Sequence, residues 1–178
     1  PPADRTRLVL GIAAMAIGVG VKSALLPVHA WLPDAHGSAP HPISAMLSGV
    51  MLKVSFLVTV RLLALAGEAR IERLLLWVGA VTALVAVVYA LAQSDAKRLL
   101  AYHSVSQMGY IAAAWGAATA ASRTAALYHL ASHALFKSLL FLVIGALIQA
   151  TGQRRIGLIR PSRGTAWRLA PFYLVGAL

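Results

Sequence analysis

The stretch that decides the fold runs Lys22-Ser23-Ala24-Leu25-Leu26-Pro27-Val28-His29-Ala30-Trp31-Leu32-Pro33-Asp34-Ala35-His36-Gly37-Ser38-Ala39-Pro40-His41-Pro42. Four prolines in sixteen residues (Pro27, Pro33, Pro40 and Pro42) cannot continue a regular helix, because each lacks an N–H and crowds the preceding turn. Val28, Trp31 and Leu32 are nevertheless apolar, so the chain has not simply left for water. A broken helix fits, with one half ending near Pro27 and a short second half over 28–38. Backbone freed at membrane depth is tolerated only where it lines protein or a wet cavity.

On either side of this segment lie long apolar runs. Residues 8–26, 42–66, 74–92, 99–117 and 124–150 each approach or exceed the roughly 20 residues that span a bilayer. A sixth run starts at Thr165 and is unfinished at Leu178. The runs are Leu/Ala-rich and do not alternate, which predicts helices rather than strands. The expected fold class is therefore all-α: one polytopic transmembrane helix bundle over residues 1–178, with a proline-broken helix. Connections at 67–73, 93–98, 118–123 and 151–164 are short, so sequential helices are expected to be neighbours. The chain opens on Pro1-Pro2 and ends inside an apolar run, and it reads as an internal piece of a longer membrane protein.

Composition agrees. Hydrophobic residues make up 60% of the chain, charged residues 12%, and the mean hydropathy is +0.77. A soluble domain carries about 25% charged residues, so the surroundings must be largely lipid. The net charge of +11 comes from arginines placed mostly in gaps between apolar runs, as in membrane proteins. No nucleic-acid-binding motif accompanies it, and no nucleic-acid partner is expected. Without cysteine the chain holds no disulfide, zinc–thiolate or iron–sulfur site, and no cofactor is expected. The location expected is a bacterial or archaeal cell membrane.

Three lysines stand where lysines are expensive. An ammonium at the centre of a bilayer helix costs about 2.5–3.5 kcal/mol on insertion scales. Lys53 and Lys137 are central in the runs 42–66 and 124–150 and cannot easily snorkel. Lys22 lies near the end of the first half-helix, whose partial negative charge favours a cation. His129, His133 and Lys137 follow at i, i+4 and i+8, at about 0°, 40° and 80° around the helix, one polar stripe. Such a column can pass protons through intervening water. A plainer reading has both imidazoles bonded to backbone carbonyls. A metal would need further ligands near the i, i+4 histidines, and none is expected. The five acids, Asp4, Asp34, Glu68, Glu72 and Asp95, are all expected in connections. A counter-ion for the lysines must then come from outside this chain, or they are neutral or hydrated.

Four motifs in order carry a resemblance. The first is Lys22 through Ala35, as quoted. The second is Ala39-Pro40-His41-Pro42-Ile43-Ser44-Ala45 leading to Lys53. The third is Gln93-Ser94-Asp95-Ala96-Lys97-Arg98-Leu99-Leu100-Ala101-Tyr102, followed by Ser106-Gln107-Met108-Gly109-Tyr110. The fourth runs from His129 through His133 and Lys137 to Phe141. Over nearly the whole chain this is similar to the antiporter-like membrane subunits of complex I, the membrane-bound hydrogenases and the Mrp cation/proton antiporters.

The resemblance implies an inverted-repeat antiporter-like fold, with one broken helix marked here by Pro27 and Pro33 and a second expected past Leu178, and a proton path through Lys22, Lys53, His129, His133 and Lys137. It implies a non-redox subunit of an NADH:quinone or hydrogenase-type translocating complex that moves protons, with sodium linkage as a variant. An Mrp-type antiporter subunit is the alternative, and an inert membrane scaffold is the rival from another class. Implied partners are membrane lipid, other membrane subunits, and protons or monovalent cations. The acid partner of Lys22 would lie upstream. Some members carry a histidine where this chain has Ser48, which leaves Lys53 as the titratable candidate of that helix.

Overall fold

The computed structural model describes residues 2–66 and 69–177. Its elements are α1 (Pro2–Gly20), α2 (Trp31–Ser38), α3 (His41–Met46), α4 (Leu52–Ala66), α5 (Ala69–Leu91), α6 (Ala96–Gly116), α7 (Ala120–Thr151) and α8 (Arg163–Ala177). Single 3₁₀ turns occupy Val21–Ser23 and Ile156–Leu158, and a π-helical turn, Leu47–Met51, joins α3 to α4. Among the described residues no strand forms. Pro1, Gly67, Glu68 and Leu178 lie outside the described residues, so the expected 67–73 connection is described only from Ala69.

Helix ends follow caps rather than hydropathy. α6 starts at Ala96, ahead of the apolar run, because the Asp95 carboxylate accepts from the Lys97 and Arg98 amides at 2.9 and 3.0 Å. α7 starts at Ala120 rather than 124, because Thr119 and Ser122 form a reciprocal capping box. It ends on Gly152 at φ 66°, a left-handed cap suited to glycine. α5 likewise takes in Arg70, Glu72 and Arg73, which places Glu72 in a helical first turn rather than in a connection.

The first helix breaks nearly two turns earlier than expected. α1 ends at Gly20, and Lys22 lies in the 3₁₀ turn, closed by Ala24 at φ 55° with its N–H on the Val21 carbonyl. The Leu26–Pro27 peptide is cis. Backbone freed here finds partners. The Trp31 indole donates to the Val21 carbonyl at 3.0 Å, and the Leu26 amide donates to Thr82 Oγ1 at 3.1 Å. Pro33 does not interrupt the second half. It sits in the first turn of α2, where no intrahelical N–H is required.

Among the described residues, four stretches are long and apolar enough to cross a membrane: Thr6–Ser23, His41–Leu65, Arg70–Leu91 and Ala120–Thr151. α6 was expected to be a fifth. Its 21 residues are of matching length, but its polar side chains keep it out of that set. Lys97, Ser104 and Ser106 among them are buried, so α6 is an inner helix. It packs against α2, α5 and α7, while α1 pairs with α4 and α7 also meets α3 and α8. The main core joins Leu32, Leu52, Phe56, Val60, Ala86, Val105, Met108 and Ile111. Outward faces stay apolar, as with Trp77, Leu84 and Val88 on α5 and Leu135 on α7, and suit lipid.

α5 and α6 meet backbone to backbone through Gly79 and Gly109. A Cβ on Gly109 would lie 2.5 Å from the Ala83 nitrogen and 2.7 Å from the Gly79 carbonyl oxygen. Small residues permit this approach, which substitutes for hydrophobic driving force inside lipid. Gly109→Val should lower stability by about 1–3 kcal/mol through overpacking. Thermal unfolding of the full-length protein in detergent checks this, and an unchanged midpoint would contradict the seam.

Candidate functional site

The site grows from the π turn. At Leu47–Met51 the helix widens, and the Leu52 amide reaches back five residues to Leu47. Such turns inside α-helices free a main-chain group for other partners. Here Lys53 Nζ donates to the Ser48 carbonyl. Lys53 is buried in α4, with 4% of its surface exposed.

From Ser48 the contacts run to α6 and then α7. Ser48 Oγ lies 2.9 Å from Ser104 Oγ. Ser104 Oγ donates to the Leu100 carbonyl at 2.9 Å, and Lys137 Nζ donates to the same carbonyl at 3.1 Å. A serine hydroxyl has one proton and a carbonyl has two lone pairs. With the Ser104 proton on Leu100, Ser48 is the donor in the serine pair, and the Leu100 oxygen takes these two donors beside its own helical bond. Two buried lysines on different helices are thus joined through two serine hydroxyls and the carbonyls of Ser48 and Leu100.

Lys137 and His133 are both fully buried, so this part of the α7 stripe faces the interior. The stripe continues from Lys137 down to His129, half-buried, whose Nε2 lies 2.6 Å from Gln107 Oε1 of α6. The rings of His129 and His133 stack with centroids 6.1 Å apart and planes 10° apart. The carbonyl-held reading of the histidines does not describe this arrangement. His129 meets a side-chain amide, and neither ring nitrogen of His133 has a hydrogen-bond partner among the described residues. Beside His129 a cavity of about 630 Å³ opens between α6, α7 and α8, with His103, Gln107, His129 and Tyr173 as its polar lining. Its volume and polar groups suit several waters.

The structure does not bring Lys22 to this cluster. It is exposed at the break, while its neighbour Ser23 is buried with Oγ 3.4 Å from Ser55 Oγ. Pro27 and Pro33 belong to the break and to α2 rather than to the lysine cluster. The described carboxylates sit at helix ends, paired with arginines: Asp34 with Arg98, Glu72 with Arg123, and Asp95 with Arg154 at 3.3 Å. Among the described residues, the hydrogen-bond acceptors of Lys53 and Lys137 are main-chain carbonyls rather than acids. Ser48 stands out in the sequence only where some relatives carry a histidine, Ser104 carries no signal of its own, and Leu100 contributes a carbonyl that no side chain announces.

Apolar helices enclosing hydrogen-bonded lysines, serines and histidines define an integral membrane protein with an internal polar axis. The family model described as NADH:quinone oxidoreductase/Mrp antiporter, TM, matches residues 3–173, and the chain belongs to that family. It is 37% identical to NADH-quinone oxidoreductase subunit N of Desulforudis audaxviator over 88% of this chain and 32% of that protein. It is 43% identical to hydrogenase-4 component B of Escherichia coli over 74% of this chain and 22% of that protein. Among solved structures it superposes on a chain of the membrane-bound sulfane sulfur reductase, an archaeal respiratory membrane complex. The TM-score is 0.84 at 31% identity, covering 94% of this chain and 36% of that one. The chain therefore spans about a third or less of these relatives, and the shared fold is that of their antiporter-like membrane subunits.

A lysine held only by a carbonyl is an expense to the fold rather than a support. Lys137→Met should leave unfolding stability within about 1 kcal/mol of the parent, or raise it. Chemical denaturation of the full-length protein in detergent checks this, and a loss of about 2 kcal/mol or more would make Lys137 structural.

Proposed function

We propose that the chain forms the central transmembrane unit of a proton-translocating subunit, working in a larger membrane complex whose redox chemistry lies on other subunits. The observation that carries this reading is the linkage of Lys53 to Lys137 through Ser48, Ser104 and the Leu100 carbonyl. The Ser48 and Leu100 carbonyls hold the lysines but do not relay protons, so a proton passes from Lys53 to the serine pair and from the pair to Lys137 through water, with rotation of the two hydroxyls reversing the donor order. His133 and His129 extend the line to Gln107 and the cavity. Lys22 is assigned as a further lysine of the path, and the support for it is its place just past the C-terminal end of α1, where helix charge favours a cation.

Relatives named as NADH-quinone oxidoreductase and hydrogenase subunits support placement beside other membrane subunits. The scaffold alternative gives no reason to bury two lysines at their insertion cost. Protons are the favoured cargo because the link is made of hydroxyls, amines and imidazoles, and among the described residues no carboxylate joins it to hold sodium.

Lys53→Ala should reduce proton translocation about 10²-fold or more while assembly persists. Lys53→Arg should fail likewise, because a guanidinium does not release its proton. Proton movement by the full-length protein in its complex, reconstituted into liposomes with a pH-sensitive dye, reads this. Full translocation by both variants would contradict the assignment.

A further inference from the structure

The segment that follows α7 and enters α8 runs Arg154-Arg155-Ile156-Gly157-Leu158-Ile159-Arg160-Pro161-Ser162-Arg163-Gly164-Thr165-Ala166-Trp167-Arg168, with five arginines and no acid. No Asp or Glu follows Asp95 anywhere in the sequence. Asp34 and Asp95, the acids at this end of the bundle, are taken by Arg98 and Arg154. Arg155, Arg160, Arg163 and Arg168 are exposed, and among the described residues their side chains have no ion pair or hydrogen bond.

Arginines that only set membrane orientation need nothing beside them but water. Here exposed apolar side chains stand between them: Ile156 is 44% exposed, Leu158 52% and Trp167 71%. Held in water, these side chains gain nothing from the 3₁₀ turn at Ile156–Leu158. Laid in the boundary between headgroups and acyl chains, they leave water while the arginines stay among the headgroups.

The fold places the segment at that boundary. Along α5 the outward side chains Leu84, Val88 and Leu91 stay exposed and apolar to the last residue of the helix, so hydrocarbon reaches its end. Three residues later the chain pairs with the segment: the Ile156 amide donates to the Ser94 carbonyl at 2.9 Å, and the Ala96 amide donates to the Arg154 carbonyl at 3.1 Å. Three residues span about 10 Å at most, close to the thickness of one headgroup layer. Exposed Tyr89 and Trp167 flank the same level, as aromatic residues do at a membrane interface.

We propose that residues 155–168 bind the phosphate headgroups of anionic phospholipids, with Arg155, Arg160 and Arg163 on the phosphates and Ile156, Leu158 and Trp167 among the upper acyl carbons. A guanidinium holds a phosphate bidentately. The uncompensated positive charge selects an anionic headgroup over a zwitterionic one, whose own cation offsets the attraction. A protein partner would have to bring acids and an apolar face together at this depth, whereas the bilayer supplies both. The inference is independent of the proton path.

The test uses the full-length protein assembled in its complex and reconstituted into phosphatidylcholine vesicles. The vesicles carry a small, equal amount of photoreactive phosphatidylglycerol or photoreactive phosphatidylcholine, with the reactive group near the headgroup. After illumination, mass spectrometry reads the labelled peptides. The peptide holding residues 155–168 should take phosphatidylglycerol roughly fivefold more than phosphatidylcholine. The peptide of the outward α5 face, with Leu84 and Val88, should show no preference. The combined variant Arg155→Gln, Arg160→Gln and Arg163→Gln should bring the ratio at 155–168 to about one, with α5 labelling unchanged. If it does not assemble, Arg160→Gln and Arg163→Gln are read singly, and each should lower the ratio about twofold. Equal labelling by the two lipids in the parent overturns the proposal, as does a preference that survives the substitutions. Labelling by neither lipid also overturns it, because the segment is then covered by protein, from another part of the chain or another subunit.

Discussion

The Leu100 carbonyl accepts from Lys137 Nζ and Ser104 Oγ together, and the polar link through the interior depends on that shared oxygen. It brings the buried Lys137 amine of α7 onto the backbone of α6. Through Ser104 it also fixes α6 to the π turn that holds Lys53. A carboxylate at this point would bind either lysine more strongly and would immobilise its proton. A carbonyl stabilises an ammonium without neutralising it, so the charge stays costly and therefore movable. Asp34, Glu72 and Asp95 are spent elsewhere, on arginines at the helix ends, where they fasten α2, α5 and α6 to their neighbours.

The surrounding bundle supports that interior with few polar interactions of its own. α5 and α6 meet through glycines, and α1 lies on α4 with Ser55 Oγ donating to the Val19 carbonyl. The break after α1 costs little, because Thr82 and Trp31 take up its freed backbone groups. Irregular backbone at membrane depth thus persists where side chains of neighbouring elements answer it. The same break turns α2 inward and carries His36 onto α7.

Much of this was legible in the sequence because lipid makes polar residues conspicuous. Lys53, His133 and Lys137 stand out against apolar runs, and their burial follows from cost alone. The proline cluster announced the break, although its start at Val21 depends on a left-handed Ala24 that no residue type signals. Ser48 and Ser104 were not legible as a pair, because serine is cheap in membrane helices and only the π turn and the α6 register bring the two hydroxyls together. Leu100 acts through its backbone, which sequence does not distinguish. Helix starts at Ala96 and Ala120 were missed because Asp95 and Thr119 set them, not hydropathy. α6 read as an ordinary span, whereas its buried polar residues mark it as an inner helix packed by α2, α5 and α7.

The central claim is that one hydrogen-bonded route joins Lys53 to Lys137 through the serine pair. The most direct measurement is a double-mutant cycle on proton translocation, using Ser48→Ala, Ser104→Ala and the double variant in the reconstituted full-length complex. If both hydroxyls belong to one link, each single change breaks it, and the double variant should be no slower than the slower single variant. Losses that multiply, each serine contributing independently of the other, would contradict the route.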